Sequence, residues 1–232
     1  MKVVIMQPTY LPWLGYFDLM DQSDVFVILD HVQFSKQSWH QRNKIKSPEG
    51  ETWLTIPVIR KHPQVLNETK INNSQPWQKK HFESIRCNYS KAKFFDRYLS
   101  FLKETYSKKI EKLTDLTIPI ILWTKKELQI KSKIIKSSEL DIQGAKVDLI
   151  VDICHQVGAD EYLSPLGSKE YIEQNNIFER EKIKLEYHDY IHPEYSQLWG
   201  EFIPYLSTLD LLLNEGDKSI EIIRSGRKDS FV

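Results

Sequence analysis

Residues 2–30 read KVVIMQPTYLPWLGYFDLMDQSDVFVILD. Two short runs rich in β-branched and apolar residues, Lys2 to Met6 and Val25 to Leu29, bracket a proline-rich loop and a segment of helical character. Each run is apolar almost throughout rather than alternating, which is the pattern of a strand covered on both faces. Gly15 to Gln22, between them, places Phe17 and Met20 on one side of a helix. Strand, loop, helix and strand in that order make a β-α-β unit.

The same alternation recurs further along. Strands are expected at Lys133 to Ile135, Glu161 to Ser164 and Ile183 to Tyr187. Between and after them, Lys146 to Val157 is the clearest helix: Val147, Ile150, Val151 and Cys154 share a face and Gly158 stops it. Shorter helices are expected at Tyr171-Ile172, over Pro204 to Asn214 with Gly216 closing it, and over Ser219 to Ile223. The reading is one α/β domain over residues 1–232, a mostly parallel, Rossmann-like sheet with helices on both faces. Residues of about 47–128 interrupt it as an insertion, a hairpin plus a helical block. Thr52 to Ile59 is a strand that Pro57 restricts to an edge or an end, with Thr69 to Ile71 as its expected partner. Helices follow over 75–89, Phe94 to Tyr106, and Ile110 to Leu128, the last disturbed at Pro119.

The composition excludes several function classes. At 232 residues, with 41% hydrophobic and 28% charged residues, the chain is long enough to build a core without disulfides. Lys+Arg and Asp+Glu are both 32, so there is no net positive field to attract nucleic acid, and no nucleic-acid partner is expected. Cys87 and Cys154 form neither a disulfide framework nor a zinc spacing, and no paired histidine and carboxylate cluster suggests a metal. There is no P-loop and no GxGxxG, and no cofactor is expected. The apolar run after Met1 is too short for a signal segment, and Leu116 to Trp123 carries Pro119 and is flanked by lysines. The expectation is a cytoplasmic protein without a membrane span.

In an open parallel sheet the ligand sits beyond the C-terminal ends of the strands. Four loops start there: Gln7 to Trp13, Asp30 to Lys36, Ser137-Ser138 and Ser164 to Ser168. In the first, the Gln7 amide can donate and accept, while Tyr10 and Trp13 offer rings for stacking. In the second, Asp30 and Gln33 precede a basic and aromatic string, Lys36, Trp39, Arg42 and Lys44, suited to a phosphorylated ligand. In the fourth, Ser164 can donate a hydrogen bond and Gly167 lets backbone approach a ligand closely. The expected catalytic groups are Gln7, Asp30, His81 and Ser164; for His81 the reading is a packed, hydrogen-bonded ring ahead of a general base. The expected binding groups are Tyr10, Trp13, Gln33, Lys36, Trp39, Arg42, Lys44 and Gly167. Gln7 and Ser164 are expected to face one cleft, with Asp30 and Arg42 on its wall. Cys154 lies on an apolar helix face and Cys87 has no facing histidine, so neither is expected to act as a nucleophile.

QPTYLPWLGYFDLM, then DVFVILDHVQFSKQSWHQRNKIK and WLTIP, resemble the signature of the WbqC-like protein family, as do EYLSPLGSKEYI and LSTLDLLLNEG. The family's opening often reads His-Gln-Pro-Asn-Tyr; Met6 and Thr9 stand here in place of its His and Asn. Gln41 stands where the family has Asn before the Arg. The resemblance spans nearly the whole chain and implies a setting in surface-polysaccharide, O-antigen-type precursor synthesis. With the basic and aromatic string it points to a transferase of lipopolysaccharide synthesis that moves an acyl or aminoacyl group to the amine of a nucleotide-linked amino sugar. The donor partner would be an acyl or aminoacyl carrier protein. A nucleotidyltransferase-like enzyme is an alternative, weakened because the loop before the first helix lacks the phosphate-holding histidines. A noncatalytic binding or scaffold protein of the same pathway is another.

Overall fold

A computed structural model describes residues 1–61, 63–172 and 176–228. The first strand, β1 (Lys2–Met6), leads into α1 (Leu14–Asp21) and returns as β2 (Val25–Ile28). A hairpin follows, β3 (Arg42–Ser47) and β4 (Gly50–Thr55), then α2 (Trp77–Tyr89), α3 (Phe95–Ser107) and α4 (Thr114–Glu127). The alternation resumes with β5 (Lys133–Lys136), α5 (Lys146–Val157), β6 (Glu161–Ser164), α6 (Lys169–Ile172), α7 (Ile177–Arg180) and β7 (Lys184–Tyr187). The chain ends its described part with α8 (Thr208–Glu215) and α9 (Ser219–Ser225).

The sheet runs β5-β2-β1-β6-β7, and every pair in it is parallel. Strand pleating sorts the side chains with period two. Val4, Phe26 and Ile28 point into one core with α1, α2, α3, α4 and α8. Val3, Ile5, Val25 and Val27 point into a second core with α5 and Phe178 of α7. Both sheet faces are therefore covered, as the unbroken apolar runs require.

Several boundaries differ from the sequence reading: the helices expected from Ile110 and Pro204 begin at Thr114 and Thr208, and the hairpin differs most. The hairpin forms between 42–47 and 50–55, so it takes in the basic string instead of following it. Thr69 to Ile71 still meets the chain beyond β4, through an isolated Val58 to Ile71 bridge. Pro57 sits past the end of the ladder, where its missing N–H costs no ladder bond. Pro119 lies inside α4 and the helix continues through it. Its place near the first turns, with Ile118, Ile120 and Ile121 buried, lets tertiary packing outweigh the lost backbone bond. Among the described residues no helix is long and apolar enough to cross a membrane.

Candidate functional site

In this strand order the chain crosses to one side of β1 for β2 and β5, and to the other for β6 and β7. The connections leaving β1 and β6 thus diverge, and a crevice opens beyond their C-terminal ends. A cavity of about 380 Å³ lies there, lined by Gln7, Thr9, Ser35, Ser38, Trp39, His40, Pro165 and Ser168 over a floor of Ile5, Leu29, Ile150 and Tyr162. A second chamber of about 280 Å³ adjoins it, lined by Trp13, Tyr16, Asn43 and Tyr205. Met6, Thr9 and Trp39 line both and form the wall between them.

The loop after β1 is held in shape by the hairpin. Leu11 adopts φ 48°, a left-handed conformation unfavourable for a branched residue, and its carbonyl accepts a 2.5 Å hydrogen bond from Asn43 Nδ2. Tyr10 N–H donates to the Trp39 carbonyl at 2.9 Å. Gly15 is required by Trp13: a Cβ there would lie 2.3 Å from the indole, which rests across the first turn of α1. Gln37 and Tyr205, at φ 56° and 59°, are further left-handed residues on segments framing the cleft.

His40 has an unpaired ring nitrogen, as does His192, whose Nε2 is buried without a partner against Trp13 and Tyr205; of the two, His40 lines the larger cavity. His40 is 4% exposed, and its Nε2 lies 2.7 Å from Gln7 Oε1. With the amide oxygen as acceptor, Nε2 carries the proton and Nδ1 keeps a lone pair. Nδ1 is buried and has no hydrogen-bond partner. Burial pushes the ring down to about 4, so it is neutral near pH 7. A neutral imidazole, oriented on one nitrogen and unpaired on the other, keeps a lone pair that can accept a proton.

The expected site residues divide. Gln7 and Trp39 line the cleft, Trp13 and Trp39 the chamber. The loop after β6 contributes Pro165 and Ser168, whereas Ser164 is fully buried and its hydroxyl turns to the Pro165 carbonyl at 3.3 Å. Gly167 is exposed, and a Cβ there would meet nothing within 4 Å, so no close backbone approach needs it. Asp30 is 4% exposed and turned away: its carboxylate accepts from Ser137 Oγ at 3.0 Å, Ser138 N at 2.9 Å and Ser138 Oγ at 2.7 Å. It thereby ties β2 to β5 and borders a separate polar depression. Tyr10 and His81 lie in the core. Tyr10 Oη is 2.9 Å from His81 Nδ1 and 2.5 Å from Tyr106 Oη, and His81 Nε2 faces the Thr55 carbonyl at 3.2 Å.

The basic string does not form one cation cluster. Lys44 pairs with Glu51 at 2.7 Å. Arg42 lies 4.5 Å over the Trp53 ring with no carboxylate partner among the described residues, and Trp53 stacks on Trp39 at 5.6 Å. Lys36 and Gln33 are exposed outside both cavities. His40, Thr9, Tyr16, Asn43, Ser168 and Tyr205 were not legible as site residues. The one signal for His40 was its place beside Trp39 in the basic and aromatic string.

No solved structure matches the chain. The uncharacterized protein Rv1507c of Mycobacterium tuberculosis is 33% identical over 98% of this chain and 99% of its own length. The model of the WbqC-like protein family matches residues 7–222, a span holding the loop after β1, the hairpin and the loop after β6. By that match over most of its length, the chain belongs to the WbqC-like protein family.

Proposed function

We propose that the chain is a transferase that places an acyl or aminoacyl group on the amine of a nucleotide-linked amino sugar, for a surface polysaccharide. The observation that carries this reading is the His40 ring, neutral, fixed by Gln7 and unpartnered at Nδ1 in the switch-point cleft. Acyl transfer to an amine needs a base at that position and no covalent nucleophile. The amine nitrogen attacks the carbonyl carbon of a thioester on a carrier protein, and a C–N bond forms. The N–H proton passes to His40 Nδ1. The C–S bond then breaks, and the proton leaves His40 for the departing thiolate. Gln7 acts through His40 by holding Nε2–H, which keeps the reactive lone pair on Nδ1.

The test incubates the full chain with nucleotide-linked amino sugars and acyl or aminoacyl thioesters, and reads the N-acylated nucleotide sugar by mass spectrometry. His40→Gln should lower turnover about 10²- to 10⁴-fold, the usual range for loss of a general base. Pyrophosphate release from a nucleoside triphosphate, with no acylated product from any donor, would favour the nucleotidyltransferase alternative instead.

A further inference from the structure

The smaller chamber differs from the cleft beside it. Its wall is mostly ring surface, Trp13, Trp39 and Tyr205, and it is also lined by Tyr16, whose hydroxyl is desolvated. Tyr16 is 1% exposed, its ring packs edge-on against Phe17 and Phe26, and its Oη is buried without a hydrogen-bond partner. Buried hydroxyls are ordinarily paired, so an orphan beside an open chamber points to a ligand that completes it. Burial drives the phenol far above its usual range, so the group stays protonated and can donate. Asn43 also leans towards donation. Its amide oxygen already accepts from Lys44 N at 2.8 Å, and one N–H is spent on the Leu11 carbonyl. The chamber therefore offers flat apolar faces and hydrogen-bond donors.

We infer that this chamber binds the keto nucleobase of a nucleotide, with Tyr16 Oη donating to a ring carbonyl and the indoles of Trp13 and Trp39 packing on the ring. A hydrocarbon acyl group would leave the Tyr16 hydroxyl unpaired. An aromatic heterocycle bearing a carbonyl satisfies both the rings and the donor. Trp39 separates the chamber from the His40 cleft, so a ligand with base and sugar at opposite ends spans the two. This deepens the transferase reading and rests on it for the sugar end, but base binding is measured without any donor.

The experiment is calorimetric titration of the full chain with UDP, ADP and a free amino sugar, repeated with Tyr16→Phe and Gly15→Ala. UDP should bind more tightly than ADP. Tyr16→Phe keeps the ring contacts and should weaken UDP about three- to tenfold while leaving ADP unchanged, erasing the preference. Gly15→Ala drives the Trp13 indole from its place and should weaken UDP binding as well. UDP that does not bind, or that binds equally to wild type and Tyr16→Phe, would remove the base site. UDP binding that depends on Tyr16 in a chain that acylates nothing would keep the base site and sink the transferase reading alone.

Discussion

Two buried histidines touch the loop after β1 from different sides, and one question separates them: whether both ring nitrogens are paired. His81 is closed on all sides, with Tyr106 donating to Tyr10, Tyr10 donating to His81 Nδ1, and Nε2–H donating to the Thr55 carbonyl. His40 is tied by Nε2 to Gln7 and unpaired at a buried Nδ1, and the residue lines a cavity. Burial lowers both rings to about 4. A depressed pKa alone therefore marks burial and not function; the unpaired nitrogen is what sets His40 apart from His81.

Acid has the largest expected effect, and it acts on both rings alike. Both rings titrate near 4 when folded, against 6.5 unprotected, so the unfolded chain binds protons first as the pH falls. Their contribution is complete above about pH 6.5 and is lost on the way down to about pH 4, by roughly 3 kcal/mol for each ring. Urea unfolding across that window should show the fall, and ring proton resonances should show both histidines neutral above pH 5. A His40 that titrates near 6.5 beside a silent His81 would mean that water reaches Nδ1.

Truncating the closed histidine comes next. His81→Ala empties a packed site and strands the Thr55 carbonyl, at a cost of about 3 kcal/mol. Nucleotide affinity should survive it. Lost turnover with an unmoved unfolding midpoint would instead give His81 a chemical role.

Arg42 asks how far the open side extends. Its guanidinium lies on Trp53, one ring from the wall of the chamber. Arg42→Ala should weaken a nucleoside diphosphate by about 1.5–3 kcal/mol if the phosphates bond to it. Lys44→Ala should cost less, because Glu51 already holds that charge. Equal affinity in a folded Arg42→Ala protein would remove the guanidinium from the ligand site.

The smallest effect is expected from the thiols. Cys154 is fully buried on α5 and its thiol is pushed up to about 12 by burial, while Cys87 is exposed on α2. Cys87→Ser with Cys154→Ala should leave turnover intact. Abolished turnover in that folded variant would replace the His40 route with a covalent thioester.

The sheet was readable because its evidence is local. Unbroken apolar runs at 3–6 and 25–28 announce strands covered twice, and Gly158 ends α5 at φ 72° as a left-handed cap. The loops after β1 and β6 followed from that alternation alone. The hairpin was harder, since Arg42, Lys44 and Lys46 alternate with Asn43 and Ile45 as in a strand, but their charge reads as a solvated loop. Tertiary contacts explain the difference: Lys46 is 1% exposed, with Nζ on Gln197 Oε1 at 3.0 Å.

Sequence by itself determined the parallel alternation of elements and so the carboxyl edge of the sheet at which the candidate loops gather, because side-chain periodicity dictates which faces must be buried. Only the tertiary structure decided which polar groups at that edge remain available. Asp30, Ser164 and Tyr10 were plausible by type and loop position and His81 by type alone, and each is engaged or enclosed by the fold. Gln7 reaches His40 across 33 positions and Tyr10 reaches His81 across 71. Hydrogen-bond satisfaction depends on partners brought together over such separations, and no local pattern encodes it.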